Sequence, residues 1–515
     1  MISLSPSGEA AAYTALALSY QLLLHPLRNY PGPLIARFTN GYTGYFAIKR
    51  NLHLQIWRLH QIYGPVVRLG PDRLVFESAT ALRDIYQNER VTKPSIYLVT
   101  QAKAGAYSTW NSLDRDIHRR KRKLVGRATT DASMRAFEPT MIEQVDVFIQ
   151  GIARSRQQPI NVKNRCSYLG FDIVGLLSFG HALHLQTDEK NQFLVEQLTR
   201  GNHRMNVFMQ IPIIPRYKLQ LYINLLFRQG REKTARLIET MIRNRMAVDT
   251  HVKPQRDLYS FVADSVDAKD DEGLRLGDLW LEAFFFIIAG GDTTATALSA
   301  TLFYLSRNPE CYSKLATEIR STFQNGNEIG GKKLASCQYL RACIDEALRM
   351  SPPSPGTLWR HLAPEEEENG PFVVDGHVIP NGTKVGVNIY SLHHNEEYFP
   401  DPFKYNPDRW MVTGDSKDAV ASRKAMYDAF AAFSVGSRGC AGKPMAYLEL
   451  SLALSKTLWY FDFETAPGEL GQIGVGQKGE FHLHDIFTST HDGPYLVFKT
   501  RDSFMEDFGN VEAQN

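Results

Sequence analysis

The sequence predicts a mainly α-helical fold with small β-sheets (the α+β class) in a single large domain. Helical patterning of apolar residues dominates over Asp131–Asn327, and no internal repeat is visible. Short β-like runs broken by turn residues lie within Val66–Phe76 and again within Pro371–Val387, so each stretch predicts a small sheet. Of the 515 residues, 43% are hydrophobic and 22% are charged, which is ordinary for a globular protein with an ample core.

The N-terminal segment is the candidate for membrane contact. Ala10–Leu24 is an uncharged run, but a bilayer span needs about 20 apolar residues. The run therefore predicts a marginal anchor, an interfacial helix or a packed terminal helix, and Arg28 on the cytosolic flank favours anchoring. We expect three segments: this helix and its connector in 1–29, the main domain in 30–498, and a polar, fraying tail in 499–515.

Charge and cysteine usage exclude several classes of protein. A formal net charge of +3 is too close to balance to imply a nucleic-acid partner. The five cysteines are scattered and include no C-x-x-C pair, so they predict neither a disulfide framework nor a zinc site. A reducing compartment follows, which places the main domain on the cytosolic side of any membrane.

A long apolar helix is predicted in the second half of the chain. Asp278 is a suitable N-cap, and the helix should continue to about Asn308. Its uncharged core, Ala283–Ala289, is far too short for a membrane span, so the helix should be buried inside the protein. Residues 289–294 read AGGDTT, where each glycine costs about 1 kcal/mol relative to alanine and Asp292 is pushed toward an apolar interior. The structural explanation is a tight helix crossing with Asp292 at a kink; the alternative is a functional site.

The stretch Phe433–Gly442, FSVGSRGCAG, carries the most chemical information. Gly436 permits a sharp turn, while Gly439 and Gly442 flank Cys440 without side chains. Apolar residues beyond Gly442 recur at helical spacing, so Cys440 should precede a helix N-terminus whose amides and dipole favour the thiolate. We therefore expect an ionised sulfur ligand. A buried structural cysteine in a glycine-rich turn is the alternative.

This stretch resembles the haem-binding loop of the cytochrome P450 family, F-x-x-G-x-R-x-C-x-G, at every fixed position. A chance match at five positions has a probability on the order of 10⁻⁴. The resemblance implies haem b as the cofactor, with Cys440 as the ligand of its iron. Arg438 would then bind a propionate and Phe433 would shield the sulfur from water, while the backbone at Gly436 and Gly442 lies in the loop against the macrocycle.

The AGGDTT segment resembles the oxygen-binding segment of the same family, (A/G)-G-x-(D/E)-T-(T/S). The resemblance implies that the glycines make room for dioxygen. It also implies that Thr293 orients dioxygen by hydrogen bonding and that Asp292 passes protons inward from solvent.

Glu346 and Arg349 form an E-x-x-R pair, a spacing that permits an ion pair on one helix face. Glu272 and Arg275 have the same spacing, so the pattern alone is uninformative. The second pair is preferred because it lies between the two family motifs. By resemblance it bonds to the arginine of Pro407–Trp410, and its role is structural.

Three more basic residues are candidates for haem propionates. Arg360 resembles the family's propionate-binding arginine, and Ser354–Leu358 should line the pocket. His118 and Arg122 resemble an H-x-x-x-R variant of the propionate-binding helix, whereas Trp110 has no arginine four residues on. A solvated basic face is the alternative, because Arg119–Lys123 is rich in charge. That stretch also predicts a docking site for an acidic electron donor.

The order of these motifs resembles the cytochrome P450 fold from about Tyr30 to Phe498, with one haem-binding domain. The resemblance implies a monooxygenase that inserts one atom of O2 into a C–H or C=C bond, with electrons from NADPH–cytochrome P450 reductase. Phe284, Phe285 and Leu358 predict an apolar, fairly bulky substrate. The alternatives are a haem-thiolate isomerase or dehydratase without external electrons, against which Asp292 and Thr293 argue, and a haem-binding sensor without turnover.

The segments His25–Pro33 and Ala289–Pro309 are most similar to filamentous-fungal members of the family. Many of these tailor terpenoid, polyketide or alkaloid skeletons in secondary metabolism. The resemblance implies attachment to the endoplasmic reticulum membrane with the catalytic domain in the cytosol.

Overall fold

The computed structural model describes residues 15–101, 105–247, 257, 276–411, 414 and 416–509. The α-helices of this part are α1 (Gly41–Ile48), α2 (Leu52–Tyr63), α3 (Ala79–Tyr86), α4 (Arg115–Ala128), α5 (Asp131–Ala153), α6 (Val162–Phe179), α7 (Phe193–Gln210), α8 (Ile213–Arg216), α9 (Leu219–Leu225), α10 (Arg228–Ala247), α11 (Leu276–Arg307), α12 (Pro309–Thr322), α13 (Gly331–Ala335), α14 (Gln338–Met350), α15 (Ile389–His393), α16 (Lys417–Ala429), α17 (Lys443–Tyr460) and α18 (Asp502–Phe508).

The strands are short and form small sheets, so the predicted class, mainly helical with small sheets, is confirmed. They are β1 (Val66–Gly70), β2 (Arg73–Phe76), β3 (Val91–Thr92), β4 (Ile160–Asn161), β5 (His361–Leu362), β6 (Phe372–Val374), β7 (His377–Ile379), β8 (Lys384–Val387), β9 (Phe461–Thr465), β10 (His484–Ile486), β11 (Thr488–Thr490) and β12 (Tyr495–Thr500). One sheet has the strand order β4–β12–β9. Strand β3 pairs antiparallel with β5, and β10 pairs antiparallel with β11.

The sheet predicted over Pro371–Val387 is divided in the structure. Strands β6 and β7 form a separate hairpin, whereas β8 pairs parallel to β2 in the sheet β1–β2–β8, with Leu74 opposite Val385. Burial explains the division. Val385 is fully buried and belongs in a covered sheet, whereas Val373 and Val378 of the hairpin are exposed.

The central element is α11, which packs closely against α6. A Cβ atom on Gly291 would lie 2.5 Å from the ring of Phe171, and one on Gly290 would lie 2.8 Å from Val174. A Cβ atom on Gly170 of α6 would lie 2.7 Å from the carbonyl oxygen of Gly291. The helix-crossing explanation therefore accounts for both glycines. Gly290 also lines the cavity described below, whereas Gly291 does not. That the glycines make room for dioxygen therefore stays a prediction.

The helix α11 begins earlier than the sequence predicts. Asp278 lies inside the helix, which is already formed at Leu276, so it is not the N-cap. An N-cap residue has non-helical backbone angles, and Asp278 does not. The predicted end near Asn308 is confirmed, because the last residue of α11 is Arg307.

Glu346 of α14 is fully buried and is the centre of an ion-pair network. Its carboxylate accepts hydrogen bonds from Arg349 Nε and Nη2, both at 2.9 Å, and from Arg409 Nε at 3.0 Å. Trp410 Nε1 and the amide of Asn406 also donate to it, each at 3.0 Å. Burial raises the pKa of Glu346, but the two arginines outweigh that effect and hold it below its ordinary value. The predicted pair and its later arginine are confirmed, whereas Glu272 and Arg275 lie outside the described residues.

The C-terminal end of the described chain is more ordered than the sequence predicts, and the role of the N-terminal end stays a prediction. The tail beyond Phe498 was expected to fray, but β12 continues to Thr500 and α18 follows. Phe504 of α18 is buried in the main core and packs on Tyr460, because the tail contains apolar residues at helical spacing. At the N-terminus, residues 15–24 are helical and carry exposed leucines. Across the described residues, none of the helices has the length and apolar character that crossing a membrane requires.

Gly291→Ala should lower the midpoint of thermal unfolding, because the added methyl group overlaps Phe171 and overpacking costs about 1–3 kcal/mol. Gly126→Ala in α4 is the matched control. A Cβ atom there meets nothing within 4 Å, and helix propensity favours alanine by about 1 kcal/mol. Circular dichroism during heating measures both midpoints, and equal midpoints for the two variants would contradict the close crossing.

Candidate active site

One cavity of about 610 Å³ lies between α11 and the loop that carries Cys440. The loop contributes Phe433, Arg438, Gly439, Cys440 and Gly442 to its wall. Opposite the loop, α11 contributes apolar side chains and, from the AGGDTT segment, Ala289, Gly290, Thr293 and Thr294. The two motifs that the sequence singled out therefore face one space.

Backbone hydrogen bonds fold the loop tightly around Cys440. The amide of Cys440 donates to the carbonyl of Phe433 at 2.8 Å, and that of Gly439 donates to the carbonyl of Gly436 at 3.0 Å. Gly436 has a φ of +74°, and a Cβ atom there would lie 1.9 Å from the carbonyl oxygen of Tyr86. Only glycine fits this turn, as predicted. Helix α17 begins at Lys443, three residues after Cys440, so the predicted position before a helix N-terminus is confirmed.

Burial raises the pKa of the Cys440 thiol above its ordinary value. The amides of Gly442 and Lys443 and the charge of Arg122 lower it, but they offset only part of the burial effect. The side chain is accessible because it faces the cavity, while protein encloses it on its other sides. The helix N-terminus therefore favours the thiolate, as predicted, but without a ligand at the sulfur its effect is smaller than that of burial. A metal ion bound to the Cys440 sulfur would supply the additional stabilisation that the thiolate needs.

Basic side chains, some buried and some half-buried, surround the same end of the cavity. Lys93, His118, Arg122 and Arg438 line the wall, and Arg360 is buried beside them. Within the described part of the chain, none of the five has a carboxylate within 4.0 Å. Burial and, to a smaller extent, the neighbouring cations lower the pKa of Arg438 to about 10 and that of His118 to about 3. Such a cluster requires an anion, and the two propionates of a haem fit it.

Arg438 and Lys93 also donate hydrogen bonds to backbone carbonyls of residues 110–113, which follow β3 in the chain. Arg438 donates from Nη1 to the carbonyl of Ser112 at 2.8 Å and from Nη2 to that of Leu113 at 3.3 Å. Lys93 donates to the carbonyl of Trp110 and lies 3.6 Å from the centre of its ring. Sequence reasoning missed Lys93. The one feature of the sequence that could have indicated a role for Lys93 is its position as the single charged residue of the run Val91–Val99.

Helix α4 has one face toward the cavity and one toward solvent. His118 and Arg122 line the cavity, as the resemblance implied, so the alternative of a wholly solvated face is wrong for them. Arg119 and Lys123 are exposed, but Lys121 is buried and lies 3.4 Å from Glu282 of α11. Lys121 is therefore no part of an external basic surface. Its burial follows from the helical period, which turns this position inward.

Thr293 borders the cavity, and its hydroxyl donates to the carbonyl of Ala289 at 2.6 Å. A hydroxyl has one donor and two acceptor positions, so in this conformer only its acceptor positions face a ligand. Rotation of the side chain is required before it can donate to one.

Asp292 is buried beside the cavity and does not line it. Asn202 of α7, which does line it, donates to the Asp292 carboxylate at 3.4 Å and to the Thr488 hydroxyl at 3.2 Å. Burial raises the pKa of Asp292 to about 7, although the half-buried Lys163 lowers it. The carboxyl therefore exchanges its proton near neutral pH. Asn202 is a further polar residue of the site that sequence reasoning missed, because nothing in its local pattern distinguishes it.

The rest of the wall is mostly apolar. Phe284, Phe285 and Leu358 line the cavity, as predicted. The segment Ser354–Leu358 is only partly exposed to it, because Gly356 and Thr357 border a smaller neighbouring cavity instead. The Phe285 ring stacks on Trp110 at 5.9 Å between centres, which closes one side.

A thiol facing an enclosed cavity, beside basic side chains that lack acidic partners, is the site of a haem-thiolate protein. Residues 31–474 match the family described as Cytochrome P450. The chain is 36% identical to the cytochrome P450 monooxygenase poxM of Penicillium oxalicum over 500 residues, covering 94% of this chain and 93% of that protein.

Two other relatives have a similar coverage. The cytochrome P450 monooxygenase apf7 of Gibberella fujikuroi is 32% identical over 523 residues, 95% of this chain and 97% of the relative. The monooxygenase atnE of Emericella nidulans is 31% identical over 494 residues, 93% of each chain. The chain belongs to the cytochrome P450 family and is a haem-iron monooxygenase.

Asp292→Asn should change how stability depends on pH. An unfolded aspartate titrates near pH 4, whereas the folded carboxyl titrates at about 7. The stability that Asp292 contributes is therefore greatest below about pH 4, is lost as pH rises to about 7, and is constant above that. Since asparagine does not titrate, the midpoint of thermal unfolding of the wild-type holoenzyme should fall relative to the variant between pH 5 and pH 7. A constant difference across that range would mean that Asp292 is ionised when folded.

Proposed function

We propose that this monooxygenase oxidises a bulky, mainly apolar small molecule of fungal secondary metabolism. The cofactor we propose is haem b, and the electron donor is NADPH–cytochrome P450 reductase. The observation that carries the proposal is a cavity that has the Cys440 thiol and a cluster of basic side chains at one end and phenylalanine side chains along its wall. Bound haem supplies the iron at which O2 is reduced and from which one oxygen atom reaches the substrate.

The residues at the thiol end are suited to hold that cofactor. Cys440 would bind the iron, and Phe433 beside it limits access of water to the sulfur. Arg438, His118 and Arg122 would bind the propionates from the cavity wall, with Arg360 as the buried charge behind them. Gly442 adds no side chain on the cavity face, and Gly436 would contribute through the sharp turn that brings the loop against the carbonyl oxygen of Tyr86.

Proton supply is the role we propose for Asp292 and Thr293. With a pKa of about 7, Asp292 can take up and release a proton at neutral pH. Asn202 connects its carboxylate to the cavity, and Lys163 lies on its other side. Thr293 would hold the proton at the cavity wall after its hydroxyl rotates away from Ala289. A haem-thiolate isomerase needs no such supply, so this arrangement favours oxygen reduction.

The outer face of α4 is the docking surface that we propose for the reductase. Arg119, Arg120 and Lys123 are exposed there, on the helix whose inner face borders the cation cluster. An acidic partner on this face would lie close to the propionate end of the cofactor. Electrostatic complementarity of this kind raises the rate of association more than it raises the affinity.

Membrane contact at the endoplasmic reticulum is supported by exposed apolar side chains. They occur on residues 15–24, on Leu34 and Ile35, and on residues 213–227, where Leu226 is 82% exposed and Tyr222 is 72% exposed. Such exposure is unusual for a protein fully surrounded by water. Removing residues 1–29 and replacing Leu225 and Leu226 by serine should release the enzyme from microsomes, and retention there would contradict the proposal.

Cys440→Ala and Thr293→Ala should have separable effects. Reduced wild-type protein under carbon monoxide should show the red-shifted Soret band of thiolate ligation, and Cys440→Ala should lose it. Thr293→Ala should keep haem and band but form more hydrogen peroxide per NADPH consumed, by about tenfold, since proton transfer is worth that much or more. Absorbance spectra and a peroxide assay measure both.

Thr301→Ala is the matched control for Thr293→Ala. Thr301 lies on the same helix and makes the same hydrogen bond, to the carbonyl of Ala297 at 2.8 Å, but it does not border the cavity. Its peroxide yield should equal that of the wild type. A Cys440→Ala variant that keeps the band would overturn the assignment of the ligand.

Reversing Arg120 and Lys123 to glutamate should slow reduction by the reductase several-fold at low ionic strength. The difference should shrink in high salt, because the Debye length falls to about 3 Å at 1 M. Stopped-flow absorbance measures the rate. Reversing Arg154 and Lys190, which are exposed elsewhere, is the control of equal charge and should leave the rate unchanged. Equal rates for both double variants at low salt would exclude α4 as the docking face.

A further inference from the structure

Two arginines line the cavity from helices that hold none of the proposed haem ligands. Arg204 lies on α7 and Arg231 on α10. Among the described residues, neither guanidinium has a carboxylate within 4.0 Å or donates a hydrogen bond, and Arg204 Nε is buried without a partner. The Arg204 guanidinium lies 4.9 Å from the centre of the Phe227 ring, which holds it in place without neutralising it.

Other arginines on the same two helices are neutralised by nearby acids. Arg200 pairs with Glu196, and Arg228 donates to Glu232 at 2.6 Å. These pairs are exposed and lie away from the cavity wall. The helices therefore provide acidic partners for their outer arginines and none for the two that face the cavity.

Thr234, three residues after Arg231 on α10, is a third polar residue of the cavity wall whose side chain has no hydrogen-bond partner in the described structure. Thr234 of α10 is 6% exposed, lines the cavity, and has a hydroxyl without a hydrogen bond in the described structure. Gln197 lines the cavity beside it, and its side chain packs on Gly230, where a Cβ atom would lie 2.1 Å from Gln197 Oε1. A buried hydroxyl normally has a partner, so its absence indicates a ligand group at this position.

This polar end differs from the one that would bind the propionates. The cations beside Cys440 influence one another, and His118 is affected by Arg438, Lys93, Arg122 and Arg360. In contrast, burial and the charge of Arg231 lower the pKa of Arg204. Arg204 and Arg231 also lie on α7 and α10, whereas the basic residues beside Cys440 lie on other elements. Haem propionates would account only for the basic residues beside Cys440.

We propose that the substrate is an organic acid whose carboxylate binds Arg204 and Arg231, with the Thr234 hydroxyl as a further donor. The inference rests on the proposed function, and it replaces a wholly apolar substrate by one with an apolar body and an anionic end. Guanidinium groups bind carboxylates through paired hydrogen bonds, which would also orient the body along Phe284 and Phe285 toward Cys440.

Binding of matched acids and esters tests this inference. The probes are myristic acid with methyl myristate, and abietic acid with methyl abietate, added to the holoenzyme at pH 8, where the acids are ionised. Dissociation constants come from the substrate-induced shift of the Soret band and, independently, from isothermal titration calorimetry. At least one acid should bind about tenfold more tightly than its ester, because charge-assisted hydrogen bonds are lost with the charge.

Arg204→Gln and Arg231→Gln should each weaken binding of the acid about tenfold and leave that of the ester within twofold. Thr234→Val should have a smaller effect in the same direction. Arg228→Gln is the control, since this arginine is on α10 but pairs with Glu232 and does not line the cavity. Arg231 is exposed, so its variant should fold even where Arg204→Gln fails.

Three outcomes would overturn the inference: equal binding of acid and ester to the wild type, no binding of either acid, or an acid preference that survives in both arginine variants. The carbon monoxide band separates these outcomes from failure of the proposed function. A protein with the band but without acid preference contradicts only the acid substrate, whereas a protein without the band contradicts the haem-thiolate site itself.

Discussion

The position of Cys440 depends on one buried carboxylate. Glu346 receives hydrogen bonds from two arginines, a tryptophan and a backbone amide, and so connects α14 to the segment around Arg409. Arg349 in turn donates to the carbonyl of His393 at 2.8 Å, and the amide of Ala431 donates to His393 Nε2 at 2.9 Å. Ala431 leads directly into the cysteine loop. Removing one partner of such a buried pair costs about 3–5 kcal/mol, because a charge remains without compensation.

The cavity arises where this rigid region faces α11. The crossing of α11 over α6 at Gly290 and Gly291 leaves little freedom in the position of either helix. Thr293 borders the cavity from α11, while Asp292 contacts Asn202 on α7. A pair of glycines that serves packing thus also determines where a hydroxyl and a carboxyl lie relative to the thiol.

Sequence reasoning succeeded where a function requires residues at fixed local spacing. The loop from Phe433 to Gly442 and the Glu346–Arg349 pair are such cases, since each is a local backbone arrangement. It failed where the answer depends on distant segments. The partner of β8 is β2, some 310 residues earlier in the chain, and Lys93 and Asn202 reach the site only through the fold. The effect of burial on the pKa of Cys440 could not be derived from the local pattern either, because burial depends on every element that packs around the sulfur.

The Arg438 guanidinium has two roles: it holds a neighbouring backbone segment, and it borders the proposed cofactor site. It bonds to the carbonyls of Ser112 and Leu113, next to the wall formed by residues 108–111, and it also faces the cavity. Any mutation there alters cofactor retention and cavity shape together, so selection for a new substrate at this end meets an immediate penalty. Arg204 and Arg231 have neither role: in the described structure their guanidinium groups donate no hydrogen bond to the backbone, and neither is proposed to bind the cofactor. Divergence of substrate preference among relatives should therefore accumulate on α7 and α10, while the cysteine end stays nearly invariant.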